Sequence, residues 1–168
     1  MPERQILLVR HAKAEDFASS GRDFDRALTG EGRSKMTRAA RGLAIAGVRP
    51  TVLLASPFLR ARQTAEIVGR EFELEPETWH ALACGVDHER IAAELDERHP
   101  GGTVVLVGHE PDMGQLLSHW LTGHPRRMAV HFGKGAAACV TAGQLPPGGT
   151  AMLEWMLTCS QLGRLSRD

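Results

Sequence analysis

The chain lacks a net charge, a long hydrophobic run and a paired set of cysteines. Among its 168 residues, 20 Lys and Arg side chains balance 20 Asp and Glu side chains. This balance creates no overall field that would attract nucleic acid or an anionic membrane surface, so we expect neither as a partner. No apolar run approaches the roughly 20 residues that a membrane-spanning helix needs. Any anion-binding site must therefore be a local cluster of cations.

Cysteine is scarce as well. Cys84, Cys139 and Cys159 are odd in number and widely spaced, which is typical of neither a disulfide framework nor a zinc site. The first residues lead directly into an apolar segment, without the pattern of a secretory signal. We therefore expect a cytoplasmic protein.

Short apolar runs alternate with segments of helical periodicity. Strand-like runs cover Gln5–Val9, Thr51–Ala55 and Thr103–Val107, and the alternation is typical of a parallel sheet with crossover helices. Two late segments, Ala136–Thr141 and Thr150–Leu157, flank a Pro-Gly turn and predict an antiparallel hairpin. The sequence thus predicts a three-layer α/β/α sandwich, with a mostly parallel central sheet and an antiparallel edge strand.

Capping residues and breakers predict where four helices begin. These starts lie after Thr29, at Ser56-Pro57, near Asp87 and at Pro111, where cap residues or proline suit the first turn of a helix. The chain shows no internal repeat, low-complexity tract or linker. We expect residues 1–168 to form a single domain.

Charged side chains follow three of the predicted strands at the point where each ends. Arg10 and His11 come directly after the first strand. Arg60 falls on the opening turn of the helix after the second strand, and His109 follows the third. Ligands bind beyond the carboxyl ends of parallel strands. If the strands are neighbours, one crevice holds these side chains and two helix N-termini, a combination suited to a tetrahedral phosphate with a histidine nucleophile.

Three motifs resemble those of the histidine phosphatase superfamily, which also contains the cofactor-dependent phosphoglycerate mutases. They are Arg10-His11 after an apolar strand, Ser56-Pro57-x-x-Arg60-Ala61-x-Gln63-Thr64, and Gly108-His109-x-Pro111. The resemblance also includes Leu28-Thr29-x-x-Gly32 and covers most of the chain. The small size and the run from Leu53 to Thr64 look more like the compact SixA-type phosphohistidine phosphatases. In one departure, Ala12 stands where many members have glycine.

The resemblance implies a phosphoglycerate mutase-like fold and a metal-independent phosphatase that needs no cofactor. It implies that His11 is the nucleophile that takes up the phosphoryl group, and that Arg10 and Arg60 hold the phosphoryl oxygens. His109 would donate to the phosphoryl group, and water would then hydrolyse phosphorylated His11. The implied substrate is phosphohistidine on a partner signalling or phosphotransfer protein, with phosphate ion released.

The charges around these residues predict two opposed pKa shifts. The arginines should hold the pKa of His11 below its ordinary value of about 6.5, and a bound phosphate dianion should raise the pKa of His109.

Two other functions stay open: a small-molecule phosphomonoesterase or mutase of the same fold, and a phosphoprotein-binding module without turnover. Hydrolysis of an alkyl ester needs a positioned acid because an alkoxide leaves poorly, and larger family members supply a glutamate. In the matching stretch, Leu82–Asp87, the only carboxylate is Asp87, which we expect to cap the next helix. Imidazole leaves more readily, which favours phosphohistidine as the substrate.

A cysteine-dependent phosphatase is the main competing chemistry. Cys84 and Arg90 have the Cys-x5-Arg spacing, but Asp87 and Glu89 between them would repel a phosphate. We expect Cys84 to be an ordinary loop cysteine. Asp23 and Asp25 either border the substrate entrance or are ordinary loop carboxylates. Six histidines lack the spacing of metal ligands, namely His80, His88, His99, His119, His124 and His131.

Overall fold

A computed structural model describes residues 4–143 and 148–166. In these ranges six strands form one mixed sheet: β1 (Arg4–Arg10), β2 (Val52–Ala55), β3 (Glu77–Thr78), β4 (Thr103–Gly108), β5 (Ala137–Ala142) and β6 (Met152–Leu157). Their order across the sheet is β3-β2-β4-β1-β5-β6. The pairs among β1 to β4 are parallel, whereas β5 runs antiparallel to β1 and to β6.

The topology confirms the predicted mostly parallel sheet with an antiparallel edge, and it adds β3, a two-residue strand that was not predicted from the sequence. The antiparallel edge consists of the two strands β5 and β6, which form the predicted hairpin with a register shift between Cys139 and Val140. The turn predicted at Pro146-Pro147 lies outside the described residues.

Helices cover both faces of the sheet, which gives the predicted three layers. They are α1 (Gly30–Ile45), α2 (Leu59–Phe72), α3 (His88–Arg98), α4 (Asp112–Thr122) and α5 (Cys159–Leu165). Ile6 and Leu8 of β1 pack in one core with residues of α3 and α4. Leu7 and Val9 point to the other face and pack with α1, α2 and α5. Because each of these aliphatic side chains is fully buried, it contributes roughly 1.5–3 kcal/mol to stability.

Local sequence signals explain most helix starts. Thr29 caps α1 by accepting a hydrogen bond from Gly32 N at 2.9 Å, and Asp87 caps α3 by accepting from Arg90 N at 3.1 Å. The prediction for α2 is wrong by two residues, since the helix begins at Leu59 and Ser56 does not cap it. No helix in the described ranges is long and apolar enough to cross a membrane.

The prediction also missed α5. Its start is marked by a capping box, in which Thr158 Oγ1 accepts from Gln161 N and Gln161 Oε1 accepts from Thr158 N. A threonine followed three residues later by glutamine is a recognisable start signal. The helix covers only seven residues, too few for a clear apolar periodicity.

Candidate active site

A crevice of about 280 Å³ lies at the carboxyl edge of the parallel strands. The four side chains predicted to converge, Arg10, His11, Arg60 and His109, all line it. The sheet order explains this convergence, because β4 lies between β1 and β2 and places their carboxyl ends side by side.

His11 lines the crevice next to His109. Its backbone N donates to Gly108 O at 2.9 Å, which sets it beside His109, with the two ring centroids 5.2 Å apart. His11 Nδ1 lies 2.7 Å from the carbonyl oxygen of Ala12. A carbonyl only accepts, so Nδ1 carries the proton of the neutral ring and Nε2 keeps its lone pair. This tautomer is the one that a nucleophilic Nε2 requires.

The segment before β5 fixes Arg10. Arg10 Nη1 donates to Phe132 O at 3.0 Å, and Gly135 N donates to the carbonyl oxygens of Arg10 and His11, both at 3.1 Å. These bonds hold the guanidinium and the chain around His11 in one geometry.

Arg60 is held by Asp23, which lies in the short 3-10 helix Asp23–Asp25. Its Nη1 donates to Asp23 O at 2.9 Å, and its Nη2 donates to the Asp23 carboxylate at 3.2 Å. Burial alone would raise the pKa of Asp23, but the hydrogen bonds and charges of Arg26 and Arg60 outweigh it and lower that pKa. The structure therefore brings Asp23 into contact with the crevice residue Arg60, whereas Asp25 pairs with Arg22.

His109 contacts the residue that was expected to cap α2. Its Nε2 lies 2.7 Å from Ser56 Oγ, and the Phe58 ring packs edge-on against it, with centroids 5.0 Å apart. When the hydroxyl donates to Nε2, the proton of the neutral His109 ring is on Nδ1. Ser56 thus orients His109, a role that its position before proline does not reveal.

Three buried nitrogens of the crevice residues have no hydrogen-bond partner among the described residues. They are Arg10 Nε, Arg60 Nε and His109 Nδ1. Buried polar groups normally find partners, because leaving one unpaired costs about 1–3 kcal/mol. A tetrahedral oxyanion is a suitable acceptor for guanidinium and imidazole donors around one point.

The histidine rings resist protonation. Burial lowers the pKa of His11 to about 3, and the charges of His109, Arg60 and Arg10 act in the same direction. Burial, followed by the charge of Arg60, lowers the pKa of His109 to about 4. The expected direction for His11 is confirmed, although burial rather than the arginines is the main cause.

We expect both rings to stay neutral from pH 7 down to pH 5 in the phosphate-free protein. The lowered pKa values mean that protonation begins only nearer pH 4, well below the ordinary midpoint of about 6.5. Saturation with inorganic phosphate adds negative charge beside His109 and should move its midpoint upward. NMR titration of the ring C–H signals measures both midpoints. A midpoint near 6.5 for His11 without phosphate would contradict the expected environment.

The structure adds three charged residues to the crevice, namely Arg26, Glu110 and Lys134. Burial raises the pKa of the Glu110 carboxyl, which accepts a hydrogen bond from Gly114 N at 2.6 Å. Because Glu110 follows His109 directly in the sequence, that position could have identified it as a crevice residue. Lys134 comes from an irregular segment before β5, and no motif marked it.

The cysteine-dependent alternative does not fit the geometry. Cys84 is an exposed residue that lines the crevice. Its thiol is nevertheless partly buried, which raises the pKa of the thiol and disfavours the reactive thiolate. Arg90 pairs with Glu94 at 2.5 Å. Within the described residues, no group of three or more His, Cys, Asp or Glu side chains could hold a metal ion.

The fold and the crevice define an α/β protein with two arginines and two histidines at the carboxyl edge of its parallel strands. Comparison with known families agrees, since the model of the histidine phosphatase superfamily (branch 1) matches residues 6–83. The chain is 31% identical over 160 residues to the phosphohistidine phosphatase SixA of Escherichia coli K12, covering 92% of this chain and 93% of that protein. The chain belongs to the histidine phosphatase superfamily.

A solved structure supports this assignment. The solved structure of the protein histidine phosphatase SixA complexed with tungstate superposes with a TM-score of 0.81 at 28% identity, covering 94% of this chain and 99% of that one. An uncharacterised protein of Picosynechococcus sp. is 36% identical over 126 residues, covering 71% of this chain and 76% of that protein. The phosphoglycerate mutase-like fold expected from the sequence is thus confirmed.

Proposed function

We propose that this protein is a phosphohistidine phosphatase that acts on a phosphorylated partner protein through a covalent phosphohistidine at His11. The observation that carries the proposal is the set of unpaired donors on Arg10, Arg60 and His109, which line one crevice together with His11. Tungstate is a tetrahedral oxyanion, and the SixA structure that superposes on this fold is complexed with it, which supports an oxyanion site in this protein.

In the first step, the lone pair of His11 Nε2 attacks phosphorus. The bond between phosphorus and the leaving group breaks, and the bonding electron pair goes to the leaving group, which takes a proton from solvent. Arg10 and Arg60 hold the phosphoryl oxygens, and His109 donates to the charge that develops on them. Positioning and electrostatic stabilisation supply most of the rate in phosphoryl transfer.

In the second step, a water oxygen attacks the phosphorus of phosphorylated His11. The phosphorus–nitrogen bond breaks, its electron pair returns to Nε2, and the water proton passes to solvent as phosphate leaves. The Ala12 carbonyl keeps the proton on Nδ1 throughout, so His11 is regenerated in its nucleophilic tautomer. The side chains described above suffice for both steps.

The leaving group favours phosphohistidine over an alkyl ester. Asp87, the only carboxylate in the stretch where larger relatives have glutamate, accepts from Arg90 N as the cap of α3. An imidazole leaves from a phosphoramidate without strong acid assistance, whereas an alkoxide needs a proton donor.

A panel of substrates tests the proposal. We expect kcat/KM to be highest for a phosphohistidine-carrying phosphotransfer domain and far lower for a phosphoserine peptide or a sugar phosphate. Similar values for all three would overturn the substrate assignment. Binding of the phosphorylated domain without any turnover would instead identify a phosphoprotein-binding module.

Glu110 favours a second candidate function, a small-molecule phosphomonoesterase. Its carboxyl lines the crevice, and burial raises its pKa, as a general acid near neutral pH requires.

Substitution of the two carboxyls separates these functions. If the protein is an esterase, Glu110→Gln should lower kcat on a sugar phosphate by about 10²-fold or more, the usual contribution of a general acid. Asp87→Asn should leave kcat on phosphohistidine nearly unchanged and should lower the free energy of unfolding by at most about 1 kcal/mol, because asparagine still caps helices well. A large loss of kcat in Asp87→Asn, measured beside its thermal unfolding, would show that Asp87 is the acid.

A further inference from the structure

A second cavity borders the crevice. It has a volume of about 440 Å³ and lies between the first turns of α1 and α5 and the segment before β5. Its charged lining residues are all basic: Lys13, Lys35, Arg38 and Lys134, with His131 beside them. None of the described residues that line it is a carboxylate, although positive and negative charges balance over the whole chain. The cavity is therefore a local concentration of positive charge.

This basic cavity is adjacent to the candidate active site. Lys134 lines both the cavity and the crevice, and Lys13 follows His11 by two residues. The wall between them includes the segment that bonds to Arg10 through Phe132 O and to His11 through Gly135 N. The position of the cavity relative to the nucleophile is thus fixed by hydrogen bonds.

The positive charge is only partly neutralised. One carboxylate, that of Glu31, pairs with both Lys13 and Lys35, each at 2.5 Å. Arg38 donates to Ser34 Oγ at 3.1 Å, and neither Arg38 nor Lys134 has a carboxylate partner among the described residues. Clustered cations without matching anions destabilise a folded protein through repulsion, and an arriving anion would relieve that repulsion.

The chemistry of the cavity differs from that of the crevice. The crevice has buried guanidinium and imidazole donors without partners, which suit a phosphoryl group in one fixed geometry. The cavity instead has half-exposed lysines, and the lysine ammonium is a point charge on a flexible stem that accepts carboxylates in many orientations.

We propose that this basic cavity is a docking subsite for aspartate and glutamate side chains that flank the phosphohistidine of the partner protein. This inference rests on the proposed function and adds a preference among phosphohistidine sequences. With the phosphohistidine in the crevice, neighbouring residues of the partner reach the cavity past Lys134. Charges at the edge of an interface mainly change the association rate and its salt dependence.

Two phosphohistidine peptides test the inference, one with aspartates on both sides of the phosphohistidine and one with asparagines. We expect the wild-type protein to cleave the aspartate peptide with a kcat/KM about 10-fold higher at low salt, and this preference should shrink as salt rises. Arg38→Glu should remove the preference and Arg38→Gln should reduce it. The rate on p-nitrophenyl phosphate should stay unchanged in both variants, because Arg38 lies outside the crevice.

The matched control is Arg41→Glu. Arg41 is an exposed arginine on α1 that does not line the cavity, so this variant has the same change of charge and should keep the wild-type preference. Equal losses in Arg38→Glu and Arg41→Glu would overturn the docking site, and so would a wild-type protein that does not distinguish the peptides.

Binding of the unphosphorylated aspartate peptide, labelled with fluorescein and measured by anisotropy, separates this inference from the proposed function. Binding that is lost in Arg38→Glu supports the docking site even where phosphohistidine is not hydrolysed, in which case only the proposed function fails. Hydrolysis of both peptides at equal rates, without measurable binding of the aspartate peptide, refutes the docking site and leaves the proposed function intact.

Discussion

His11→Ala should abolish turnover, lowering kcat by at least about 10⁴-fold, as loss of a nucleophile does in other covalent enzymes. It should also abolish the covalent intermediate. Rapid quenching of the wild-type protein with labelled substrate should give a phosphoprotein that is labile in acid and stable in base, as expected of phosphohistidine. The same experiment on the variant should show no label. The geometry supports this result because Nε2 of His11 keeps its lone pair in the crevice.

The variant must be folded for this result to count. His11 is 6% exposed, so its truncation removes packing contacts, but the residue lines a crevice rather than the hydrophobic core, and thermal unfolding of the variant should remain cooperative. Label that persists in a folded His11→Ala protein would assign the nucleophile to another residue and overturn the mechanism.

Arg60→Ala should cost about 10²–10³-fold in kcat/KM, the usual effect of removing one donor to a developing oxyanion. The loss has a second source, because the variant removes one of the two arginines that neutralise the Asp23 carboxylate and leaves more negative charge beside the phosphoryl site. The double variant Asp23→Asn with Arg60→Ala should therefore recover part of the rate. Steady-state kinetics on one phosphohistidine substrate measures all three proteins.

Two controls accompany the Arg60 variant. Arg62→Ala removes an exposed arginine from the same helix and should have little effect on kcat/KM. Cys84→Ser should also stay near the wild-type rate, because burial raises the pKa of the thiol and no role is proposed for it. An inactive Cys84→Ser beside an active Arg60→Ala would overturn the assignment of His11 chemistry.

The sequence predicted β1, β2 and β4 well because these strands are buried on both faces, whereas the two exposed residues of β3 gave no signal. Runs such as Ile6–Val9 have no polar residue, so neither a helix face nor a loop competes with the strand interpretation. The helix starts were predicted where a capping side chain makes the expected bond, as at Thr29 and Asp87. The start of α2 was predicted wrongly at Ser56, because the hydroxyl of Ser56 bonds to His109, a residue 53 positions away. Such a contact leaves no local pattern in the sequence.

The sequence predicted those residues of the candidate site that come shortly after the ends of strands. Arg10, His11, Arg60 and His109 lie together because the strand order places three carboxyl ends side by side. Lys134 reaches the crevice from an irregular segment, and Asp23 contacts Arg60 from a three-residue 3-10 helix. The course of such short segments depends on tertiary contacts rather than on periodicity. The pKa values of the histidines likewise depend mainly on burial, which a sequence does not specify.

The central position of β1 holds Arg10 and His11 more firmly than Asp23 is held beside Arg60. Arg10 and His11 continue a strand with neighbours on both edges, β4 on one side and β5 on the other. We expect the amide protons of such a strand to exchange with solvent more slowly than those of the short 3-10 helix Asp23–Asp25, which lies outside the sheet. Arg10 and His11 should therefore keep their positions more firmly than the carboxylate that contacts Arg60.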